Sequence, residues 1–249
     1  MFFSGRARGA SHLLVCGLGL WGAGQGALAV DGVAAHAPRI ILNAQDRNVA
    51  TLIGNTDGYA TLVRASISAD NANADSLPPF IAMPSLFRLW AGGQQVIRII
   101  RTPGALPADR ESLFYLHTLE TPIVEDVDPG EGDQWEKVER VTFIYRPQHL
   151  ATLPAEAPRQ LLWRLVQRGT TRYLRVTNPS PYHINFVGVR VVDGQALQEL
   201  GAGDGMLAPS ASRELPLAAH IRGQQVGVEF LVQDDQGLSS DFYKAHAGL

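Results

Sequence analysis

The chain has 249 residues, 45% of them hydrophobic and 18% charged, and a net charge of -3 at pH 7. This composition is that of a globular protein rather than a disordered one, and the slight acidic excess argues against a nucleic-acid scaffold, which would be strongly basic. A single cysteine excludes an internal disulfide and a zinc site built from several cysteines.

The N-terminal segment has the three parts of a secretory signal. Arg6 and Arg8 precede an apolar run over residues 13–23, and residues 27–29 form the small-residue pattern of a cleavage site. The run is too short to span a bilayer, which needs about 20 residues. We therefore predict a cleaved signal peptide over residues 1–29, with a disordered or membrane-anchoring N-terminus as the alternative. Cleavage removes the cysteine.

Short strand-like runs follow one another through the rest of the chain. They are rich in β-branched and aromatic residues, and most are bounded by Gly, Pro, Asn or Asp. No helical periodicity persists over three turns. The pattern indicates an all-β protein of sandwiches or barrels. The predicted strands cover residues 39–42, 61–68, 95–101, 113–119, 138–145, 161–166, 172–177, 184–192, 213–217 and 226–232.

A proline-rich break divides these strands into two groups. Three prolines lie between residues 146 and 159, where they exclude a central strand. We place a linker there and predict two domains, at residues 30–150 and 151–249. Each is close to the size of an immunoglobulin-like sandwich.

The sequence offers little for catalysis or for metal binding. It lacks the Gly-x-Ser-x-Gly and His-Glu-x-x-His motifs, and its histidines are scattered singly. An acidic run at residues 125–133 resembles a calcium loop, but Glu131 and Lys137 occupy positions that need Gly and Glu. We expect no catalytic residue, no metal and no cofactor, and interpret the acidic run as a solvated turn.

Two longer motifs connect the chain to a known family. Residues 109–114 read Asp-Arg-Glu-Ser-Leu-Phe, and residues 178–182, after a Tyr-Arg-Pro strand end at 145–147, read Asn-Pro-Ser-Pro-Tyr. In this order, over essentially the whole mature chain, they resemble the periplasmic chaperones of chaperone–usher pili. The resemblance implies two immunoglobulin-like β-sandwich domains in an L or boomerang arrangement, and a periplasmic location.

The resemblance also implies a function. Family members bind, fold and cap pilus subunits whose own sandwich lacks its last strand, by lending a strand of the first domain. They then deliver the subunit to the outer-membrane usher. The implied partners are pilins and an usher, with no nucleic acid, small-molecule substrate, cofactor or ATP. Whether the free protein caps itself as a homodimer stays open.

Residues that bind the subunit follow from the same resemblance. Family members hold the C-terminal carboxylate of the subunit with an Arg and a Lys in the cleft between the domains. Arg39 occupies the Arg position, and its guanidinium can give a carboxylate two parallel hydrogen bonds. Thr142 occupies the Lys position, so the second charge is missing. Arg140, two residues earlier on the same strand face, is a candidate replacement, with simple surface exposure as the alternative.

The strand to be donated has an irregular pattern. Family members present alternating large apolar residues before the Lys position, whereas here the large apolar residues are Trp135 and Val138. Being three residues apart, they face opposite sides of a regular strand. Three explanations of this irregular pattern stay open: a bulge changes the register of the strand, the subunit is unusual, or strand donation is weak. Trp135 can either fill the groove of the subunit or pack within this chain.

A structural role is implied for three charged residues. By resemblance, Glu111, Arg146 and Asp234 form an ion-pair network that fixes the angle between the domains. Removing one partner of a buried pair costs about 3–5 kcal/mol. In addition, the short connection between Pro122 and Gln134 resembles the branch of the family that serves rod-forming pili.

Two other classes of function are weighed against this one. A secreted two-domain β-sandwich adhesin or carbohydrate-binding module needs exposed aromatic residues clustered on loops, but the four tryptophans are scattered in the sequence. A hydrolase needs a site that the sequence does not show.

Overall fold

The structure is a computed structural model that describes residues 33–35, 38–69, 77–123, 136–201 and 205–249. The predicted signal peptide, the acidic run and Trp135 lie outside these residues. Within them, no helix has the length and apolar character to cross a membrane.

The first half of the chain forms two sheets that face each other. One sheet has the strand order β1-β3-β7-β5 and the other has the order β2-β9-β8-β4-β6. All neighbours are antiparallel except β2 and β9, which run parallel. The strands are β1 (Val33–Ala35), β2 (Arg39–Asn43), β3 (Asn48–Asn55), β4 (Ala60–Ala69), β5 (Phe80–Met83), β6 (Leu86–Leu89), β7 (Gln94–Arg101), β8 (Ser112–Ile123) and β9 (Lys137–Arg146).

An aromatic cluster fills the space between these two sheets. The ring of Phe80, from β5, lies edge-on to Phe114 of β8 and Phe143 of β9, with 4.9 Å between the ring centres in both pairs. Along β8 every second residue from Phe114 to Glu120 is buried. This is the period-two alternation of a strand with one face toward a core.

The second half begins with a short 3₁₀ helix (Pro154–Gln160) and continues as one curled sheet. The strand order is β13-β12-β16-β17-β10-β11-β15, and β14 pairs with β12. The two layers join where β10 runs parallel to β17, and Trp163, Phe186 and Phe230 pack between them. The strands are β10 (Leu162–Arg168), β11 (Thr171–Thr177), β12 (Ile184–Asp193), β13 (Ala196–Leu200), β14 (Met206–Leu207), β15 (Ser212–Pro216), β16 (Gln225–Gln233) and β17 (Tyr243–Gly248).

The predicted all-β chain with two sandwich domains is confirmed, and every strand predicted from the sequence is present. The proline-rich segment contains the 3₁₀ helix. Among the described strands, no pairing joins β1–β9 to β10–β17. The prolines of this segment cannot donate a backbone hydrogen bond to a sheet, so no strand continues through it from one domain to the next.

One buried asparagine braces each domain in the same way. In the first domain Asn55 Nδ2 donates to the carbonyl of Tyr59 over 2.9 Å, and in the second Asn178 Nδ2 donates to the carbonyl of Tyr182 over 2.7 Å. Each Nδ2 also contacts two carbonyls of a distant segment, and each Oδ1 accepts from a backbone N–H two residues later. The Asn-Pro-Ser-Pro-Tyr motif is therefore a structural corner.

Candidate functional site

Strand β9 has a second neighbour along only half of its length. Strand β8 pairs with β9 from Lys137 to Tyr145 without a register shift. On the other side, β2 pairs only with residues 142–146. Among the described strands, residues 138–141 therefore have no partner on that side, and we call them the open edge. An unpaired strand edge is a template for pairing with another chain.

Side chains alternate along this strand. Val141 and Phe143 point into the first domain, whereas Val138, Arg140 and Thr142 point outward. Val138 is 60% exposed and sits on the open edge. Glu139 lies on the inward side of the open edge. Burial raises the pKa of its carboxyl group, and a hydrogen bond from the backbone N–H of Ala35 offsets only part of this rise.

Arg39 begins β2 and is paired in register with Thr142, so the residues at the family's Arg and Lys positions lie side by side. Arg39 is only 7% exposed, and its Nη2 has no hydrogen-bond partner among the described residues. Burial lowers its pKa, opposed by the charges of Asp235 and Glu111. A buried donor without a partner is costly, and a bound anion would relieve that cost.

Next to Arg39, an ion-pair network joins the two domains through Arg146. Its Nε donates to Glu111 Oε1 over 2.7 Å, and its Nη1 and Nη2 donate to the two carboxylate oxygens of Asp235 over 2.7 and 2.9 Å. Burial lowers the pKa of Arg146, but hydrogen bonds and charges from Asp235 and Glu111 outweigh it and hold the pKa above its ordinary value. Each of the three guanidinium nitrogens of Arg146 therefore donates a hydrogen bond to a carboxylate oxygen.

The structure corrects one member of the predicted network. Among the described residues, Asp235 pairs with Arg146, and Asp234 does not. Instead, Asp234 Oδ1 accepts hydrogen bonds from the backbone N–H groups of Gln236 and Leu238 and so closes the turn after β16. The cause is local, because β16 ends at Gln233 and the turn sends neighbouring side chains in different directions.

His183 is a member of the network that sequence reasoning missed. Its backbone N–H donates to Glu111 Oε2 over 2.7 Å, and its Nδ1 lies 3.1 Å from the same oxygen. His183 directly follows the Asn-Pro-Ser-Pro-Tyr motif, which was the available signal. A single histidine in a sequence shows no partner, so the motif alone does not predict this contact.

A cleft of about 580 Å³ lies between the domains, with Arg39, Arg146, His183 and Asp235 among its lining residues. Arg140 is not brought into it. Its guanidinium stacks on the ring of Tyr115, 4.2 Å from the ring centre, on the outward face of the first domain. Within the described residues, no group of three or more His, Cys, Asp or Glu is placed to hold a metal ion.

Two family models match this chain, one to each domain. Residues 32–151 match the N-terminal domain of the PapD pili and flagellar-assembly chaperones, and residues 156–243 match the PapD C-terminal domain. Together the matches cover most of the sequence outside the predicted signal.

Individual relatives agree with this result. The probable fimbrial chaperone SfmC of Escherichia coli K12 is 32% identical over 212 residues, which is 84% of this chain and 86% of SfmC. The crystal structure of the YadV chaperone superposes with a TM-score of 0.72 at 26% identity, over 87% of this chain and 99% of YadV. The complex of the Salmonella enterica SafA pilin with the SafB chaperone gives a TM-score of 0.68 at 29% identity, over 86% of this chain and 95% of the matched chain.

Proposed function

The chain belongs to the PapD family of pilus-assembly chaperones, and from this we propose that it binds pilus subunits in the periplasm, caps them by donating a strand and delivers them to an outer-membrane usher. The SafB–SafA structure, a complex of a chaperone with a pilin, supports a subunit as the partner. The family consists of chaperones, and the proposal requires no catalytic group, cofactor or ATP.

One observation supports the proposal above the others. The open edge at residues 138–141 runs directly into the position where Thr142 lies beside the buried guanidinium of Arg39. An edge offers backbone hydrogen bonds to any added strand, but it does not set where that strand begins. An anion held by Arg39 would fix this register, because a terminal carboxylate occurs once in a pilin.

The missing lysine changes how the carboxylate is held. Arg146 is occupied by Glu111 and Asp235, so Arg39 is the guanidinium with an unpartnered nitrogen among the described cleft residues. We assign the second contact to the hydroxyl of Thr142, which can donate one hydrogen bond without adding charge. Arg140 is left to stack on Tyr115, where it can contact the bound pilin from the outward face.

The adhesin or carbohydrate-binding alternative is not favoured. Of the described tryptophans, Trp163 is buried in the second core, so the 62% exposed Trp90, with the guanidinium of Arg88 over its ring at 3.7 Å, has no second exposed tryptophan to form a cluster with. The hydrolase alternative meets a similar objection. His117 Nε2 lies 2.7 Å from Ser68 Oγ, but its other described contacts are Tyr115 and Arg140 rather than a carboxylate that would orient a catalytic histidine.

Co-expression with pilus subunits tests the function. A pilin exported alone is expected to be lost to aggregation or proteolysis, because its groove is open, and to be recovered from the periplasm in complex when this chain is present. Two peptides with the last residues of the pilin, one amidated and one a free acid, then separate the carboxylate contact from strand pairing. Equal pilin recovery with and without this chain would refute the proposal.

A further inference from the structure

Three arginines share the outward face of the second domain where β10, β11 and β15 lie side by side. Arg168 Nε donates to Glu214 Oε2 over 2.7 Å, and Arg175 Nε donates to Glu214 Oε1 over 2.9 Å. Hydrogen bonds from these two arginines lower the pKa of Glu214 to about 2, so the carboxylate is ionised at any ordinary pH. With Arg164, the group keeps an excess of positive charge in a chain whose net charge is -3.

Arg164 is the member of this group without a counter-charge. It lies directly opposite Arg175 across the β10–β11 pair, and its other neighbour is Gly248, which has no side chain. Like charges that face each other on adjacent strands repel. Among the described residues, no hydrogen bond or ion pair involves the Arg164 side chain, and Glu214 is already bound by the other two arginines.

A small cavity lies between the two opposed arginines. It measures about 170 Å³ and is lined by Leu162, Arg164, Arg175 and Thr177, which we call the arginine pocket. The hydroxyl of Thr177, a lining residue, lies 2.7 Å from that of Ser212. Leu162 is 55% exposed and forms an apolar wall. The arginine pocket shares no lining residue with the cleft at Arg39.

We propose that the arginine pocket binds an acidic side chain, aspartate or glutamate, of a partner protein. Arg164 offers a complete guanidinium fork, which matches the two oxygens of a carboxylate. The short aliphatic stem of such a side chain can pack on Leu162, whereas a free phosphate would leave that wall without a contact. The cavity is too small for a drug-sized ligand, which needs a pocket of about 300 Å³ or more.

Titration of the purified protein with defined peptides tests this site. The probe is acetyl-Leu-Glu-Leu-amide, the matched control is acetyl-Leu-Gln-Leu-amide, and inorganic phosphate is the third ligand. Nitrogen–proton resonances of the arginine Nε groups report the site directly. We expect saturable shifts at Arg164 and Arg175 with the glutamate peptide only, which weaken as salt screens the charges.

Variants complete the test. Arg164→Gln is expected to weaken binding of the glutamate peptide about two- to fivefold, the upper part of the range for an exposed ion pair. Arg47→Gln, the same charge change in the first domain, should leave this binding unchanged. Thr177→Val, which keeps the shape of the side chain, is expected to weaken it less. Equal shifts with the glutamine peptide, tighter binding of phosphate, or unchanged binding in Arg164→Gln would each overturn the proposal.

Discussion

Arg39 is a residue whose charge the fold buries without fully satisfying. It lies 7% exposed beside two ion-paired carboxylates that are already engaged by Arg146. Burying a charge is tolerated when a partner compensates, and here the compensation from the described residues is incomplete. The residue therefore favours a ligand that brings its own negative charge.

Replacing this arginine should weaken partner binding without unfolding the protein. A hydrogen bond to a charged group contributes about 1.5–3 kcal/mol. We therefore expect Arg39→Ala to lower the affinity for a free-acid peptide with the last residues of the pilin by roughly ten- to a hundredfold. Calorimetric titration measures the affinity, with Arg47→Ala as the exposed control. If amidation of the peptide changes nothing in the wild type, Arg39 does not bind the carboxylate.

Asn178 shows the opposite case, a buried polar residue that is fully satisfied. It is 0% exposed, and its side chain bonds backbone groups on both sides of the corner at Tyr182. Asn178→Ala removes the Nδ2 group that donates to the carbonyls of Tyr182, Leu207 and Ala208. We expect the free energy of unfolding to fall by at least about 2 kcal/mol in urea titrations. The exposed Asn48→Ala should change it little, and equal midpoints for the two variants would contradict this assignment.

At the scale of elements, β9 combines two different strand environments. Its second half is held on both sides by β2 and β8, while residues 138–141 are held by β8 alone among the described strands. An edge that is this open risks unwanted pairing, and charged side chains such as Glu139 and Arg140 are a common protection against it.

Hydrogen exchange should distinguish the two halves. In the free protein, amides of residues 138–141 are expected to exchange faster than those of residues 143–145, because one side of the edge is open to water. Addition of a pilin should protect the open edge by new backbone hydrogen bonds, while the β12–β16 ladder in the second domain serves as internal control. If the amides of residues 138–141 exchange at the same rate before and after pilin is added, the result would argue against strand donation.

At the scale of the whole molecule, the Arg146 network is a polar link between the domains. It connects β9 to the segment before β8 and to the turn after β16. Side-chain exposures of 14% for Arg146 and 1% for Glu111 place it out of bulk water, where loss of a partner is costly. We propose that it sets the geometry of the cleft in which Arg39 lies.

Two adjacent aspartates provide a matched test of this link. Asp235→Asn removes the charge that pairs with Arg146. Because the Asp235 side chain is 30% exposed and asparagine keeps one acceptor oxygen, we expect the free energy of unfolding to fall by about 1–3 kcal/mol, less than for a fully buried pair. Asp234→Asn keeps an oxygen that can accept the two turn hydrogen bonds, so a much smaller loss is expected. Urea unfolding measures the loss of stability in both variants. A larger loss for Asp234→Asn would indicate that Asp234, as predicted from the sequence, is the partner of Arg146.

The sequence by itself was sufficient to predict the strands whose apolar residues alternate, such as β8 and β9. Its motifs were also sufficient to identify the family. Seven described strands are not among those predicted, namely β1, β3, β5, β6, β13, β14 and β17. The clearest case is β17, whose sequence Tyr-Lys-Ala-His-Ala-Gly has no β-branched residue and which pairs with β16 along its whole length. Strand formation there depends on a neighbour, which no local pattern contains.

The family resemblance assigned Arg39 and Thr142 to the two positions of one carboxylate-binding pair, but the parallel register that places them side by side is seen only in the structure. Only the tertiary structure decided that Asp235 rather than Asp234 pairs with Arg146, that His183 joins Glu111, and that Arg140 stacks on Tyr115. These contacts join residues far apart in the chain, and their partners depend on turn geometry and on packing between the domains. At a turn, the direction of the side chain changes from one residue to the next. The residue types of a motif therefore determine which interactions are possible, but the tertiary structure determines which partner each residue contacts.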